Sequence, residues 1–140
     1  MLASTLLLPA FALAFVTFCV WLSMIARRGV HMQKHKIDPE DMPTRTLADQ
    51  KFGDAQAPNN ALMNLFELPV LFYVLMVLLV VLSKGDWLFL MLAWAFVALR
   101  AVQAAIHISY NRVLHRGAAY LASCIVLWIM WARFAITLYL

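Results

Sequence analysis

Residues 61–83 read ALMNLFELPVLFYVLMVLLVVLS, and residues 87–109 read WLFLMLAWAFVALRAVQAAIHIS. Both runs are longer than the roughly 20 apolar residues that a helix needs to cross a hydrocarbon core. Residues 2–26 and 117–140 are apolar runs of similar length. Because a segment surrounded by lipid must satisfy its own backbone hydrogen bonds, each run is expected to be a helix. The sequence therefore predicts an all-α integral membrane four-helix bundle.

The composition agrees with this fold class. Of the 140 residues, 65% are hydrophobic and 13% are charged, which is too little polar surface for a soluble domain. We expect one membrane domain over residues 1–140, with spans at about 2–26, 61–83, 87–109 and 117–140. The first span has no basic residue before it, so it is expected to be a retained anchor rather than a signal peptide. Residues 27–60 form the long polar connection, in which a short surface helix is predicted around Thr46–Gly53.

The positions of Lys and Arg predict the orientation. The connection between spans 1 and 2 holds Arg27, Arg28, Lys34, Lys36, Arg45 and Lys51. The connection between spans 3 and 4 holds Arg112 and Arg116, whereas the turn between spans 2 and 3 holds only Lys84. Since basic connections stay in the cytoplasm, both termini are expected outside it. The net charge of +4 is explained by the anionic head groups of the bilayer, and no nucleic acid is expected as a partner.

Two of the spans carry polar residues on one face. At 100° per residue, Asn60, Asn64 and Glu67 fall within about 60° of one another on span 2. On span 3, Arg100, Gln103, His107 and Tyr110 fall within about 80° by the same measure. The opposite face of span 3 carries the small residues Ala98, Ala101 and Ala105, which suit close helix packing. Span 3 is thus expected to have one packing face and one chemical face.

The depths of Glu67 and Arg100 allow them to form an ion pair. At 1.5 Å per residue, Glu67 lies about 10 Å and Arg100 about 15 Å from the cytoplasmic span ends. Pairing would lower the cost of placing each charge in the membrane. The two could serve only as a structural pair, but the additional amides, imidazole and phenol favour a polar cavity. Arg133, near the outer end of span 4, is expected to snorkel to the surface.

Two smaller features bear on the site. Pro69 lies inside span 2 and is expected to bend it or to free a carbonyl. His31 and His35 have the i,i+4 spacing of a metal site on a helix, but Lys34 and Lys36 flank the second histidine and would repel a cation. We expect solvated loop histidines and no metal.

The two polar faces carry recognisable motifs. Residues 59–72 read NNALMNLFELPVLF, and residues 100–107 read RAVQAAIH, followed by Tyr110, Arg112 and Arg116. The first stretch resembles the second-helix pattern Arg-Ala-x-x-Asn-x-x-Glu, followed by Pro and Phe, of the MAPEG family (membrane-associated proteins in eicosanoid and glutathione metabolism). The second is similar to that family's third-helix pattern Arg-x-x-His-x-x-x-Tyr with a later Arg. The likeness covers nearly the whole chain and is greatest to bacterial members, which implies the bacterial inner (plasma) membrane.

The resemblance implies a homotrimer that holds glutathione between neighbouring subunits near the cytoplasmic face. By position, Asn64 and Glu67 match glutathione-binding residues, and Arg116 matches the Arg that activates the thiol. Asn60, Gln103 and His107 stand where the family pattern has Arg, His and Tyr. The implied glutathione-binding set is Asn60, Asn64, Glu67, Arg100, Gln103, His107, Tyr110 and Arg112, with Arg116 as the catalytic residue.

The chemistry of glutathione suits these residues, because it presents two carboxylates, one ammonium and one thiol. Guanidinium groups bind carboxylates or thiolates, a carboxylate binds the ammonium, and amides fill the remaining hydrogen bonds. The implied function is a glutathione-dependent transfer to a small lipophilic electrophile. One alternative is a non-enzymatic trimer that binds lipid, glutathione or a partner protein. A small proton-coupled exporter is the other, but residues 2–26 carry no charge where such exporters have a carboxylate.

Overall fold

The computed structural model describes residues 3–139, except for the side chain of Arg45. In that range the chain is helical and contains no strand. The predicted span limits at residues 2 and 140 lie outside the described residues. The helices are α1 (Ala3–His35), α2 (Arg45–Phe52), α3 (Ala57–Leu65), α4 (Leu68–Val81), α5 (Trp87–Ile108) and α6 (Val113–Tyr139), with 3-10 turns at Pro39–Asp41 and Gly53–Gln56.

Four helical runs of the described chain are long and apolar enough to cross a membrane: Ala3–His35, Thr46–Val81, Trp87–Ile108 and Val113–Tyr139. The second run includes α3 and α4. This confirms the predicted all-α membrane fold with four spans.

Helix α1 continues past the predicted end of its apolar run at residue 26 and stops at His35. Residues 27–35 contain no proline, and Lys36, the residue after the helix, has a φ of 50°. His31 and His35 therefore lie on a helix, and the expectation that they are loop residues is wrong. The helix therefore continues through residues 27–35, although the apolar run ends at residue 26.

The second span is interrupted at Phe66 and Glu67. Helix α3 ends at Leu65 and α4 begins at Leu68, with Pro69 in the first turn of α4. Pro69 has no N–H to donate to the preceding turn, so the carbonyls at the end of α3 lose their helical partners. The predicted effect of Pro69 is thus seen, as a break between two helices.

Helix α5 is at the centre of the bundle and contacts α1, α3 and α6. In the core, the rings of Phe72 and Phe96 stack with their centroids 4.6 Å apart. The polar face of α5 points inward. Arg100 is 0% exposed, and Gln103 and His107 are each 3% exposed. Interior burial keeps these polar groups away from lipid.

The described residues leave most of the alanine face of α5 uncovered. Ala98 and Ala105 are exposed, and Ala101 is half-buried. Within the single chain, the face of α5 that packs is the one that carries Arg100, Gln103 and His107. The prediction that one face packs while the opposite face carries the polar residues is therefore wrong for the single chain.

An ion pair joins the turn between α4 and α5 to α6. The carboxylate of Asp86 caps α5 by accepting a hydrogen bond of 2.9 Å from the Phe89 N–H. It also forms an ion pair with Arg133, whose guanidinium carbon is 4.7 Å from the centre of the Phe89 ring. Partial burial alone would raise the pKa of Asp86, but the Phe89 N–H and Arg133 outweigh it and lower that pKa. Arg133 thus has a protein partner and does not simply snorkel.

Candidate functional site

A polar cavity of about 260 Å³ lies where the α3–α4 break meets α5 and α6. Its lining residues come from all three regions and are Asn64, Glu67, Gln103, Arg116, Gly117 and Tyr120. The break between α3 and α4 leaves Glu67 exposed, and the inward face of α5 supplies Gln103. The cavity thus combines a carboxylate, two amides, a guanidinium and a phenol.

Arg116 is held in place by neutral acceptors. Its Nη1 lies 3.0 Å from Nε2 of His107 and donates to Oδ1 of Asn111 at 2.7 Å. A guanidinium only donates hydrogen bonds, so Nε2 of His107 must be the acceptor and Nδ1 must carry the ring proton. Arg116 forms no ion pair within the described chain. Its positive charge therefore remains available to an anion in the cavity.

Arg100 lies behind the cavity and is completely buried. Its Nη2 donates to the backbone oxygen of Asn64, and its guanidinium carbon is 5.6 Å from the centre of the Tyr120 ring. No ion pair joins Arg100 to Glu67 in the described chain, so the predicted pairing is wrong. The reason is the break in span 2, which releases the Asn64 carbonyl close to Arg100 and exposes Glu67.

Five of the nine predicted site residues do not line this cavity. Arg100 and His107 lie behind it and contact its lining residues. Asn60 is exposed on α3, and Arg112 lines a separate shallow cavity after α5. Tyr110 lies within hydrogen-bond distance of His115, with its hydroxyl oxygen 3.1 Å from Nδ1. A second cavity of about 280 Å³ contains Tyr110 and His107, together with Arg27 and Asp54. His107 thus lies between the two cavities.

Two lining residues, Gly117 and Tyr120, are not in the predicted set. The signal that could have identified them is the helical spacing of α6, because Arg116, Tyr120 and the buried Ser123 recur at i, i+4 and i+7. These residues form a third polar face that meets the faces of span 2 and α5.

The fold and the cavity define a class of protein: an integral membrane protein with four spans and a polar cavity between them. The family model of the MAPEG family matches residues 6–136, which is nearly the whole chain. The chain belongs to the MAPEG family. Neither a curated protein nor a solved structure matches it.

Proposed function

We propose that this chain is a glutathione-dependent transferase that joins the glutathione sulfur to lipophilic electrophiles taken from the bilayer. The observation that carries the proposal is the convergence of Asn64, Glu67, Gln103 and Arg116 on one cavity. These residues come from three separate parts of the chain. A merely structural polar contact would not need a carboxylate in the same space as a guanidinium that forms no ion pair in the described chain.

The groups in the cavity complement those of glutathione. Glu67 would bind the ammonium, while Asn64 and Gln103 would donate to and accept from the peptide groups. Arg116 would bind the sulfur, and Arg100, behind the cavity, adds positive charge that favours an anionic ligand. A cavity of about 260 Å³ is somewhat smaller than typical ligand sites, which fits a site completed by a neighbouring subunit.

Arg116 would act by stabilising the thiolate. A free thiol has a pKa near 8.5, and an adjacent guanidinium favours loss of its proton to water. The thiolate then attacks an electrophilic carbon, forming a sulfur–carbon bond while the leaving group departs with its bonding electrons. His107 and Asn111 hold the guanidinium by neutral acceptors, so its charge is not cancelled.

The remaining parts of the proposal concern assembly and location. The protein is a homotrimer in the bacterial inner membrane, and both termini lie outside the cytoplasm. The basic residues of the 27–60 connection and of the α5–α6 connection support this orientation. The exposed alanine face of α5 is available for contact with another subunit.

A thermal-shift measurement on detergent-solubilised protein tests the binding step. Glutathione at a hundred times its Kd stabilises a folded binder by about 2.7 kcal/mol, which raises the apparent Tm. Asn64→Ala should reduce the shift, whereas Asn60→Ala, one helical turn earlier and outside the cavity, should keep it. The absence of a shift in the native chain contradicts the proposal. A shift without any conjugating activity favours the non-enzymatic binder.

A further inference from the structure

A groove of about 460 Å³ lies between the last turns of α1 and the 3-10 turn Gly53–Gln56. It is separate from the glutathione cavity. Its lining residues are Ala26, Arg27, Val30, His31, Lys34, His35, Asp54 and Ala55. The wall of the groove is fixed by Arg28, which donates to Oε1 of Gln56 at 2.7 Å and lies over the Phe52 ring.

The charge of the groove is predominantly positive. Arg27, His31, Lys34 and His35 recur at i, i+4, i+7 and i+8, so they share one face of α1 within about 100°. Asp54 is the acidic residue among the lining side chains. Neither Arg27 nor Lys34 forms an ion pair within the described chain. The groove therefore presents two cations that can accept an anionic partner.

The two histidines give the groove a defined wall. The ring centroids of His31 and His35 are 4.3 Å apart, and Nε2 of His31 lies 3.1 Å from the carbonyl oxygen of Lys51. A carbonyl only accepts, so Nε2 of His31 carries the proton and donates it. This hydrogen bond ties the end of α1 to α2.

The length of α1 places this groove near the lipid head groups. A helix of 33 residues is about 50 Å long, whereas the hydrocarbon core is about 30 Å thick. The last turns of α1, which begin at Arg27 after an uncharged run, therefore extend beyond the core.

The apolar part of the groove is continuous with the lipid-facing side of α1. Ala26 and Val30 lie among the cations, and the exposed Leu22 and Phe18 follow one and two turns deeper. A molecule that fills the groove would therefore contact cations at one end and an apolar helix face at the other.

We propose that this groove binds an anionic glycerophospholipid, with its phosphate between Arg27 and Lys34 and its acyl chains along α1. Clusters of basic residues next to a membrane span attract anionic head groups, and the apolar face favours a lipid over free phosphate. This inference goes beyond the proposed transferase function and does not depend on it.

Native mass spectrometry of the full chain in mild detergent tests the proposal. The protein is titrated with phosphatidylglycerol, with zwitterionic phosphatidylcholine, or with phosphatidylglycerol in excess inorganic phosphate. Phosphatidylglycerol should bind more tightly than phosphatidylcholine and should remain bound in phosphate. Arg27→Gln with Lys34→Gln should weaken phosphatidylglycerol binding about thirtyfold, as expected for two surface cations.

A matched control removes the same charge outside the groove. Lys36→Gln with Arg112→Gln should leave phosphatidylglycerol binding within about threefold of the native value. Arg27→Lys with Lys34→Arg keeps the charge and should bind normally, which separates loss of charge from misfolding. Equal weakening in both charge-removing double variants overturns the proposal, as does equal binding of both lipids. Complete displacement of the lipid by phosphate also overturns it, since the groove would then recognise the phosphate alone.

Discussion

The imidazole of His107 connects α5 to the guanidinium of Arg116. His107 is 3% exposed, its Nε2 lies 3.0 Å from Nη1 of Arg116, and its Nδ1 has no hydrogen-bond partner in the described chain. Protonation of Nε2 would place a second cation against Arg116, so the neutral ring with its proton on Nδ1 is the form that fits this contact. We therefore regard His107 as a positioning residue for Arg116.

Replacing His107 tests this role. His107→Leu removes an acceptor that holds Arg116 and should reduce the ultraviolet thiolate band of bound glutathione, while glutathione binding is largely retained. His107→Gln should keep the band, because its amide oxygen can reach the acceptor position. Nitrogen NMR of the native protein should show Nδ1 of His107 protonated and Nε2 unprotonated. Protonation at Nε2, or a thiolate band of equal intensity in His107→Leu and the native chain, would be inconsistent with the role.

Arg100 and Glu67 should show only weak energetic coupling, because no ion pair joins them in the described chain. Arg100→Met should destabilise the fold by about 1–3 kcal/mol, since it leaves the buried Asn64 carbonyl without its donor. Glu67→Gln changes an exposed group and should have little effect. In a double-mutant cycle by thermal unfolding in detergent, the two losses should add within about 0.5 kcal/mol. A larger coupling energy would indicate that the two residues pair after all.

The sequence predicted which residue types face the cavity better than it predicted their partners. Helical spacing predicted two polar faces that include Asn64, Glu67 and Gln103, and these three residues line one cavity. The partner of Arg100 could not be predicted, because depth and charge identify possible ion pairs but not carbonyls released by a helix break. That acceptor exists only once α3 ends at Leu65.

The helices differ in how closely their ends follow the apolar pattern. Helix α2, at Arg45–Phe52, lies within one residue of the predicted range 46–53, and Thr44 caps it by accepting from the Leu47 N–H. The end of α1 was missed because polar residues can continue a helix beyond the membrane. Hydropathy marks the membrane boundary, whereas capping and backbone conformation mark the helix boundary.

Asp86 caps the start of α5. The contribution of its carboxylate to the stability of the fold should vary with pH. Its pKa is lowered in the folded chain, so its ion pair with Arg133 contributes fully above the unfolded pKa near 3.9. That contribution is lost as the pH falls through the lower, folded pKa. The apparent Tm of the native chain should therefore fall more steeply below about pH 4 than that of Asp86→Asn.

The two functions of Asp86 can be separated by a pair of variants at pH 7. Asp86→Asn keeps an oxygen that caps α5 and loses only the ion pair. Asp86→Ala also loses the cap, which costs about a further 1 kcal/mol. Identical pH profiles for the native chain and Asp86→Asn would show that the ion pair contributes nothing to stability.

A single chain leaves a large apolar surface uncovered over the residues that the structure describes. Exposed side chains on α1 include Phe11, Phe15 and Phe18, and the alanine face of α5 is also open. Lipid can cover such faces, so hydropathy does not distinguish them from subunit contacts. The homotrimer therefore stays a prediction that follows from family resemblance. Native mass spectrometry in mild detergent should show trimers, and a spectrum of monomers and dimers alone would contradict this prediction.

We propose that Arg116 stabilises the thiolate of glutathione bound in the cavity beside Asn64, Glu67 and Gln103. The most direct measurement is the ultraviolet thiolate absorption band of glutathione added to the purified protein. The native chain should produce the band at neutral pH, and Arg116→Ala should abolish it while the oligomer and glutathione binding are largely retained. Arg112→Ala removes a guanidinium just before α6 and outside the cavity, and it should leave the band intact. A band that persists in Arg116→Ala would contradict this role of Arg116.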